Sequence, residues 1–534
     1  MKKIMINIEN YSETIISKDF EKIIKESKKV YKYLLFEDNY IKLYQNIFYN
    51  LDYDFILEIP ILYIIYCKVL RYNNKIIKFK EVILDYKKIK FHDKSTKNEI
   101  SFESNILFLE ASLEKSTQSI KKLEKAIDKI SNFSDYLLLS EIYFELGFNY
   151  DSFYKIDKSL INYQKAEYYM LNESSTLDNS ILNQYIMLFR VKLEIANISL
   201  LKNRLNDYAQ KMNEMGLFIQ KNRIEDSYLI FYYNSLANLF FYKNDKKSFL
   251  EVVEKILFLG EKPNKLSCFQ IYIKTARYLL LFNEIEKSRI LINKIEKKLS
   301  IIIPSQKSRI SLYNLNALFY KKTGDINLRN AWFNDISKLL EHKYSSDCFI
   351  SIFYAFYLLE NGEIEKSEKI IKEISIEIYK TDCDLIITRF ELLEIAFQYK
   401  IGYKNKAILN LKEKLFLFQK EWNIGIFLDS SDIILNMVNK IYKESFNNNI
   451  LLENKFLEEI ISYSNEKFDF NNYLTEKEIE VLKLVEQKKS NKEIANILFL
   501  SINTIKTHLK NINEKLKVNT KNDAVIKAKE YFII

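Results

Sequence analysis

Lys506, Thr507 and Lys510 fall on one side of a helical pattern, together with Asn503, Glu514 and Lys517. At ~100° per residue, Ile505, Leu509, Ile512 and Leu516 gather on the other side. A lysine ammonium on a rigid helix can donate to the O6 and N7 acceptors that guanine shows in the major groove, and a threonine methyl can lie on that of thymine. A helix apolar behind and cationic in front suits that chemistry, because its back rests on a small core while its front enters the groove. Ser490 and Asn491 open the preceding helical pattern, where free amides and short polar side chains hold a phosphate. The bland alternative is a helical hairpin whose lysine face is merely solvated.

The elements that must position these residues are legible nearby. Ser501 is placed as N-cap of the lysine-bearing helix, its hydroxyl able to accept from a first-turn amide. Before a tight connection at Leu500-Ser501, Ile494, Ala495 and Leu498 form a buried stripe, with Ala495 small enough for two helices to cross closely. Thr475 and Glu478 have capping-box spacing ahead of a helix whose core face is Ile479, Leu482 and Val485. His508 lies on the flank of its helix and reads as a half-buried packing residue.

These residues resemble the C-terminal DNA-binding domain of LuxR-type (GerE-like) regulators. The resemblance is carried by Leu474-Thr475, Glu478, Glu480-Val481-Leu482, Ser490 to Ala495, Leu498, Ser501, Thr504-Ile505-Lys506, His508-Leu509, Ile512, Lys515-Leu516, Val518 and Ala524-Val525. It implies a four-helix helix-turn-helix domain in which Lys506, Thr507 and Lys510, with Asn503 on the same face, read base edges. It implies phosphate contacts from Ser490, Asn491, Ser501, Thr504, Lys515 and Lys521, and a dimer helix with Ala524, Val525 and Ala528 as contacts. The chain departs from the family at Lys488 and Lys517, where glycine is usual, at Lys521 for arginine, and at Asn513 for tyrosine.

Composition excludes several other chemistries. The 534 residues include seven glycines and three prolines, too little turn punctuation for a sheet protein of this length, so an all-α fold is expected. The formal net charge of +10 is spread over helical segments and does not by itself predict nucleic-acid binding. Cys67, Cys268, Cys348 and Cys383 are scattered, and His92, His342 and His508 lie far apart, so neither a metal site nor a histidine base is expected. No catalytic residues and no cofactor are assigned, and a receiver domain is excluded because no strand rhythm precedes the DNA-binding pattern. The N-terminus lacks a secretory run, and the apolar stretch from Ile59 to Leu70 is too short to span a bilayer. A cytoplasmic protein with no membrane partner follows.

Upstream, Ala196, Ala237, Ala276, Ala317, Ala355 and Ala396 recur at intervals of roughly 40 residues, the range of helical-hairpin repeats. Seven positions after the first five come Asn203, Asn244, Asn283, Gly324 and Gly362, and Gly402 follows Ala396 one place early. Glycine and asparagine tolerate the left-handed conformation that ends a helix, so each unit reads as helix, sharp turn, helix. This resembles the tetratricopeptide-like (TPR-like) sensor region of MalT-like regulators, forming a superhelical solenoid. No two glycines are close enough for the phosphate-binding loop of the ATPase those regulators carry.

The expected organisation is an irregular helical N-terminal cap over 1–100, TPR-like repeats over 101–461, a polar linker over 462–472, and the DNA-binding domain over 473–534. The expected function is a transcription regulator, by family leaning an activator that would address RNA polymerase. It would bind double-stranded DNA as a homodimer and sense a ligand, peptide or protein on the solenoid. The alternative is a helical-repeat interaction scaffold with weak or non-specific DNA binding.

Overall fold

The computed structural model describes residues 8–33, 43–72, 75–89, 96–113, 116–133, 135–173, 181–222, 224, 226–260, 268–299, 306–324, 348–445, 452–467, 474–516 and 518–530. Among them every regular element is helical. One apolar core runs from Tyr11 to Ile461, and a second, separate one from Leu474 to Ala528. No helix of the described residues is long and apolar enough to cross a membrane.

The repeat is built as its spacing predicts. Asn203, Asn244, Asn283, Gly324, Gly362 and Gly402 all have positive φ. At Asn203 the amide donates to Leu200 O at 2.9 Å and the Arg204 amide to Ser199 O at 2.8 Å, the paired bonds of a Schellman ending. The same pair of bonds closes the helices before Asn244, Asn283 and Gly362. Tyr154, seven residues after Gly147, is also left-handed (φ 54°); its unit carries the turn on a residue type that gives no sequence signal.

The alanines are buried, between 0% and 9% exposed, and mark where paired helices meet, except at Ala317, whose partner segment lies outside the described residues. A serine twelve residues after the small residue uses that closeness. Ser288 Oγ donates to Ala276 O, Ser367 Oγ to Ala355 O and Ser159 Oγ to Gly147 O, at 2.9–3.0 Å. The first helix of each pair is the inner one. Cys348–Glu360 has nine buried residues on 13 positions, whereas its partner Ile364–Tyr379 has four on 16.

The N-terminal hundred residues are short pieces, including a π-helical turn Tyr44–Phe48 and a 3-10 turn Leu84–Lys88. They join the array through Lys68, whose ammonium reaches Glu141 at 2.7 Å and the Tyr31 hydroxyl at 3.0 Å. At the other end, the helix Asn454–Lys467 continues through the first six residues read as linker. Polar composition there does not break the helix; the rest of that segment lies outside the described residues.

The array also touches itself across long sequence distances. The Asp382 carboxylate accepts from the amides of Ile156 and Asp157, capping a helix that begins 226 residues earlier. Asn203 Nδ2 donates to Thr388 Oγ1 at 2.9 Å, and the Asn206 amide to Glu421 Oε2 at 2.8 Å. The Ile424 amide donates to Tyr242 O at 2.9 Å. A Cβ on Gly425 would lie 2.6 Å from Tyr242 Cα, so only glycine allows the two backbones this close.

Beside that contact, Asp429 accepts from Arg277 (2.8 Å) and Arg389 (2.6 Å), and Arg389 also reaches the Tyr242 hydroxyl at 2.8 Å. Burial pushes the Asp429 carboxyl up, but the Arg277 and Arg389 charges outweigh burial and hold it below the ordinary carboxylate range. Because the folded value lies below the unfolded one of ~3.9, this stabilisation is complete above about pH 4 and is lost as pH falls through the folded value. Asp429→Asn leaves two buried guanidiniums without a counterion and is expected to cost about 3–5 kcal/mol in urea unfolding of the array at pH 7. A loss under about 1 kcal/mol would show that closure does not depend on this carboxylate.

Candidate nucleic-acid interface

Four helices make the C-terminal domain: Glu476–Glu486, Asn491–Leu498, Ile502–Leu516 and Lys521–Glu530. The first two begin with complete capping boxes. Thr475 Oγ1 accepts from the Glu478 amide while Glu478 Oε2 accepts from the Thr475 amide, and Ser490 and Glu493 repeat the arrangement. Ser501 Oγ caps the third helix, accepting from the Thr504 amide at 3.0 Å. Ile494, Ala495, Ile505, Leu509, Ile512 and Leu516 are buried together with Val481, Leu482 and Val485. The third helix is therefore pinned by its apolar back.

Two helix ends in the domain are left-handed without glycine, at Lys488, where glycine was expected from the resemblance, and at Phe499. Lys488 has φ 59°, and its neighbour Lys489 donates to Leu484 O at 3.2 Å; Phe499 has φ 55°, and the Leu500 amide donates to Ala495 O at 2.9 Å. The Schellman bonds hold the backbone, and the side chains carry the steric cost, roughly 1–2 kcal/mol for an L-residue. Phe499 does so while 94% exposed. Lys517 lies outside the described residues.

The front of the third helix is open. Asn503, Lys506, Thr507 and Lys510 are exposed. The Thr507 hydroxyl donates to Asn503 O at 3.1 Å, and Lys510 lies 3.8 Å from Glu514. A cleft of about 590 Å³ brings Lys506 and Lys510 together with Asn491 and Lys521, with Asn513 and Asn519, and with the carboxylate of Glu514. The Oδ1 atoms of Asn491 and Asn513 are buried there with no partner. An amide turned about its last bond offers its NH2 instead, and a cleft with three ammoniums against one carboxylate, and with two such amides, is suited to an anion. Asn513 was legible from spacing, seven residues after Lys506 and three after Lys510.

Other sequence-predicted residues sit apart from the cleft. Lys515 turns inward and holds Glu478 at 2.7 and 3.0 Å. Burial pushes the Glu478 carboxyl up, and Lys515 and the Thr475 amide more than reverse this, leaving it below its ordinary value. The Ser490 and Ser501 hydroxyls are engaged as caps, and the Thr504 hydroxyl bonds that of Ser501 at 2.8 Å. His508 is half-buried. Ala524 and Ala528, expected as dimer contacts, are instead fully buried in the domain's own core, because the fourth helix turns them towards the first. Val525 is half-buried and Ile526 is 52% exposed, so that helix presents Ile526 outward.

A model of the family "Bacterial regulatory proteins, luxR family" matches residues 472–528. The C-terminal segment is a LuxR-type helix-turn-helix domain. Response regulator protein VraR of Staphylococcus saprophyticus is 34% identical over 92 residues, 17% of this chain and 44% of that protein. Transcriptional regulatory protein LiaR of Bacillus subtilis is 39% identical over 80 residues, 14% of this chain and 38% of that protein. The chain thus spans less than half the length of these curated relatives.

Among solved structures, the apo form of RapI gives a TM-score of 0.41 at 13% identity, covering 70% of this chain and 96% of that one. The APC/C hetero-tetramer Cut9-Hcn1 gives 0.38 at 11%, covering 97% and 95%.

Replacing Lys488 of the LuxR-type domain by glycine relieves the left-handed strain but frees the unfolded chain, so a net gain of about 0.5–1 kcal/mol is expected. Glu478→Gln, which breaks the ion pair with Lys515 and weakens the box, is expected to cost about 1–3 kcal/mol. Native-state hydrogen exchange of the Ile502–Leu516 amides in the full-length protein reads both. Slower exchange in Glu478→Gln would remove the anchor role assigned to that carboxylate.

Proposed function

We propose that this chain is a sequence-specific transcription regulator that inserts the helix Ile502–Leu516 into the major groove. The observation that carries this reading is the open face of Lys506, Thr507 and Lys510 on a helix whose back and N-terminus are fixed. Lys506 and Lys510 supply donors for guanine edges. Thr507 turns its hydroxyl onto its own backbone, which leaves its methyl for thymine. Asn503 stands at the edge of the same face. Asn491, Asn513 and Lys521 take phosphates in the cleft, with Lys506 and Lys510 at its rim. Ser490, Ser501 and Thr504 act on phosphates through the helix starts they cap, and Lys515 acts by holding the first helix against the third.

The domain acts as a dimer on paired half-sites, with Val525 and Ile526 of the last helix as the contact face. The helical array is the sensing part. A signal shifts the regulator only by binding the DNA-competent arrangement more tightly than the other. An activator role, with RNA polymerase as partner, and a cytoplasmic location belong to the same proposal.

The test is selection from a random DNA pool with full-length protein beside the Lys506→Ala, Lys510→Ala double variant. An enriched motif with paired half-sites, lost in the variant, is expected. Failure of any motif to emerge, in buffer and in cell lysate alike, would favour an interaction scaffold. On the selected site Lys506→Ala should cost about 1–3 kcal/mol in anisotropy titrations, and far less on random DNA. The slope of log K against log salt should be close to 0.9 per phosphate contacted; a flat dependence would mark the lysine face as merely solvated.

A further inference from the structure

Around Asp429 the inner layer holds more positive charge than that one carboxylate neutralises. Arg277 and Arg389 share the single carboxylate of Asp429, and a guanidinium does not shed its proton inside a protein. One charge is left over. Arg389 is only 3% exposed, and its Nε has no hydrogen-bond partner. Phe353 lies 3.8 Å from the Arg277 guanidinium and Phe349 4.7 Å from that of Arg389, so aromatic faces, not acids, cover them.

Lys274 adds a further cation that has no direct ion pair among the described residues. It precedes Arg277 by one helical turn on the inner helix Cys268–Leu281, and no described residue gives its ammonium an ion pair or a hydrogen bond. The nearest aromatic ring, Tyr278, is 5.9 Å away. Lys274 is half-buried as a residue. Burial and the Arg389 charge nonetheless pull its pKa down to about 8 against the opposing fields of Asp429 and Glu194. A surplus guanidinium charge with an idle donor, beside an ammonium that Asp429 and Glu194 offset only through space, is costly to keep in a desolvated wall unless an anion completes the group.

We propose that Lys274, backed by Arg277 and Arg389, anchors the anionic group of a small ligand, a carboxylate or a phosphate, on the inner layer of the helical array. The assignment rests on reading the array as the sensing part of the regulator.

Calorimetric titration of the full-length protein with inorganic phosphate and, separately, with succinate, at ionic strength matched by chloride, tests it and distinguishes the two sources. Wild type and Lys274→Arg should bind at least one of the two saturably, and Lys274→Met at least tenfold more weakly. Lys274→Met should melt no lower than wild type in anion-free buffer, because it removes an unpaired, desolvated ammonium; folding failure is therefore not a confounder. No saturable binding of either anion, or equal binding by Lys274→Met and wild type, overturns the site, the second result placing the anion away from Lys274. Titration of DNA with and without the bound anion then separates the two readings. A change in DNA affinity absent from Lys274→Met supports both, whereas Lys274-dependent binding without such a change upholds the site and overturns the sensing role.

Discussion

Asp429 joins parts of the array that no local rule would bring together. Its carboxylate binds guanidiniums from positions 277 and 389 while the adjoining backbone at Ile424 and Gly425 lies on Tyr242. Helical-hairpin repeats contact mainly their neighbours, and such an array can bend or open with little loss of local contact. Contacts across more than 150 residues change that. They convert a string of similar units into one body with a shared core from Tyr11 to Ile461. A buried carboxylate serving two guanidiniums also gives closure a sharp energetic threshold, since removing it strands both of them.

The regular part of the array rests on cheaper devices repeated many times. A left-handed residue ends the inner helix, a small residue lets its partner approach, and in several units a serine hydroxyl bonds the carbonyl exposed by that approach. Each device is worth about a kilocalorie or less. Together they set the angle at which every pair of helices leaves its turn, and so where the distant ends meet. Closure by Asp429 is possible only because the local turns agree.

The DNA-binding domain applies the same logic on a smaller scale. Two capping boxes and a serine cap fix three helix starts, and the ion pair from Lys515 to Glu478 ties the third helix to the first. That leaves the front of the third helix with little to do inside the protein. Strained turns at Lys488 and Phe499 are tolerated because Schellman bonds over-determine the backbone there. A rigid scaffold with an uncommitted cationic face is what differential recognition of base edges requires.

The periodicity by itself determined the all-helical class, the unit length, the left-handed turn at each asparagine or glycine, and the cationic face of the third helix. All of these depend on interactions within a few residues, which spacing encodes directly. Tyr154 and Phe499 escaped because their left-handed backbone is held by the hydrogen bonds that close their helices and not by residue type. Tertiary structure alone decided that Lys515 belongs to Glu478, that Ala524 and Ala528 are core and not a dimer surface, and that Asn491 and Asn513 share a cleft with Lys521. It alone brought Arg277, Arg389 and Asp429 together and left Lys274 without a direct ion pair among the described residues. Those outcomes turn on which side chains meet across helices far apart in sequence, and a one-dimensional pattern records the face of a helix but not what that face meets.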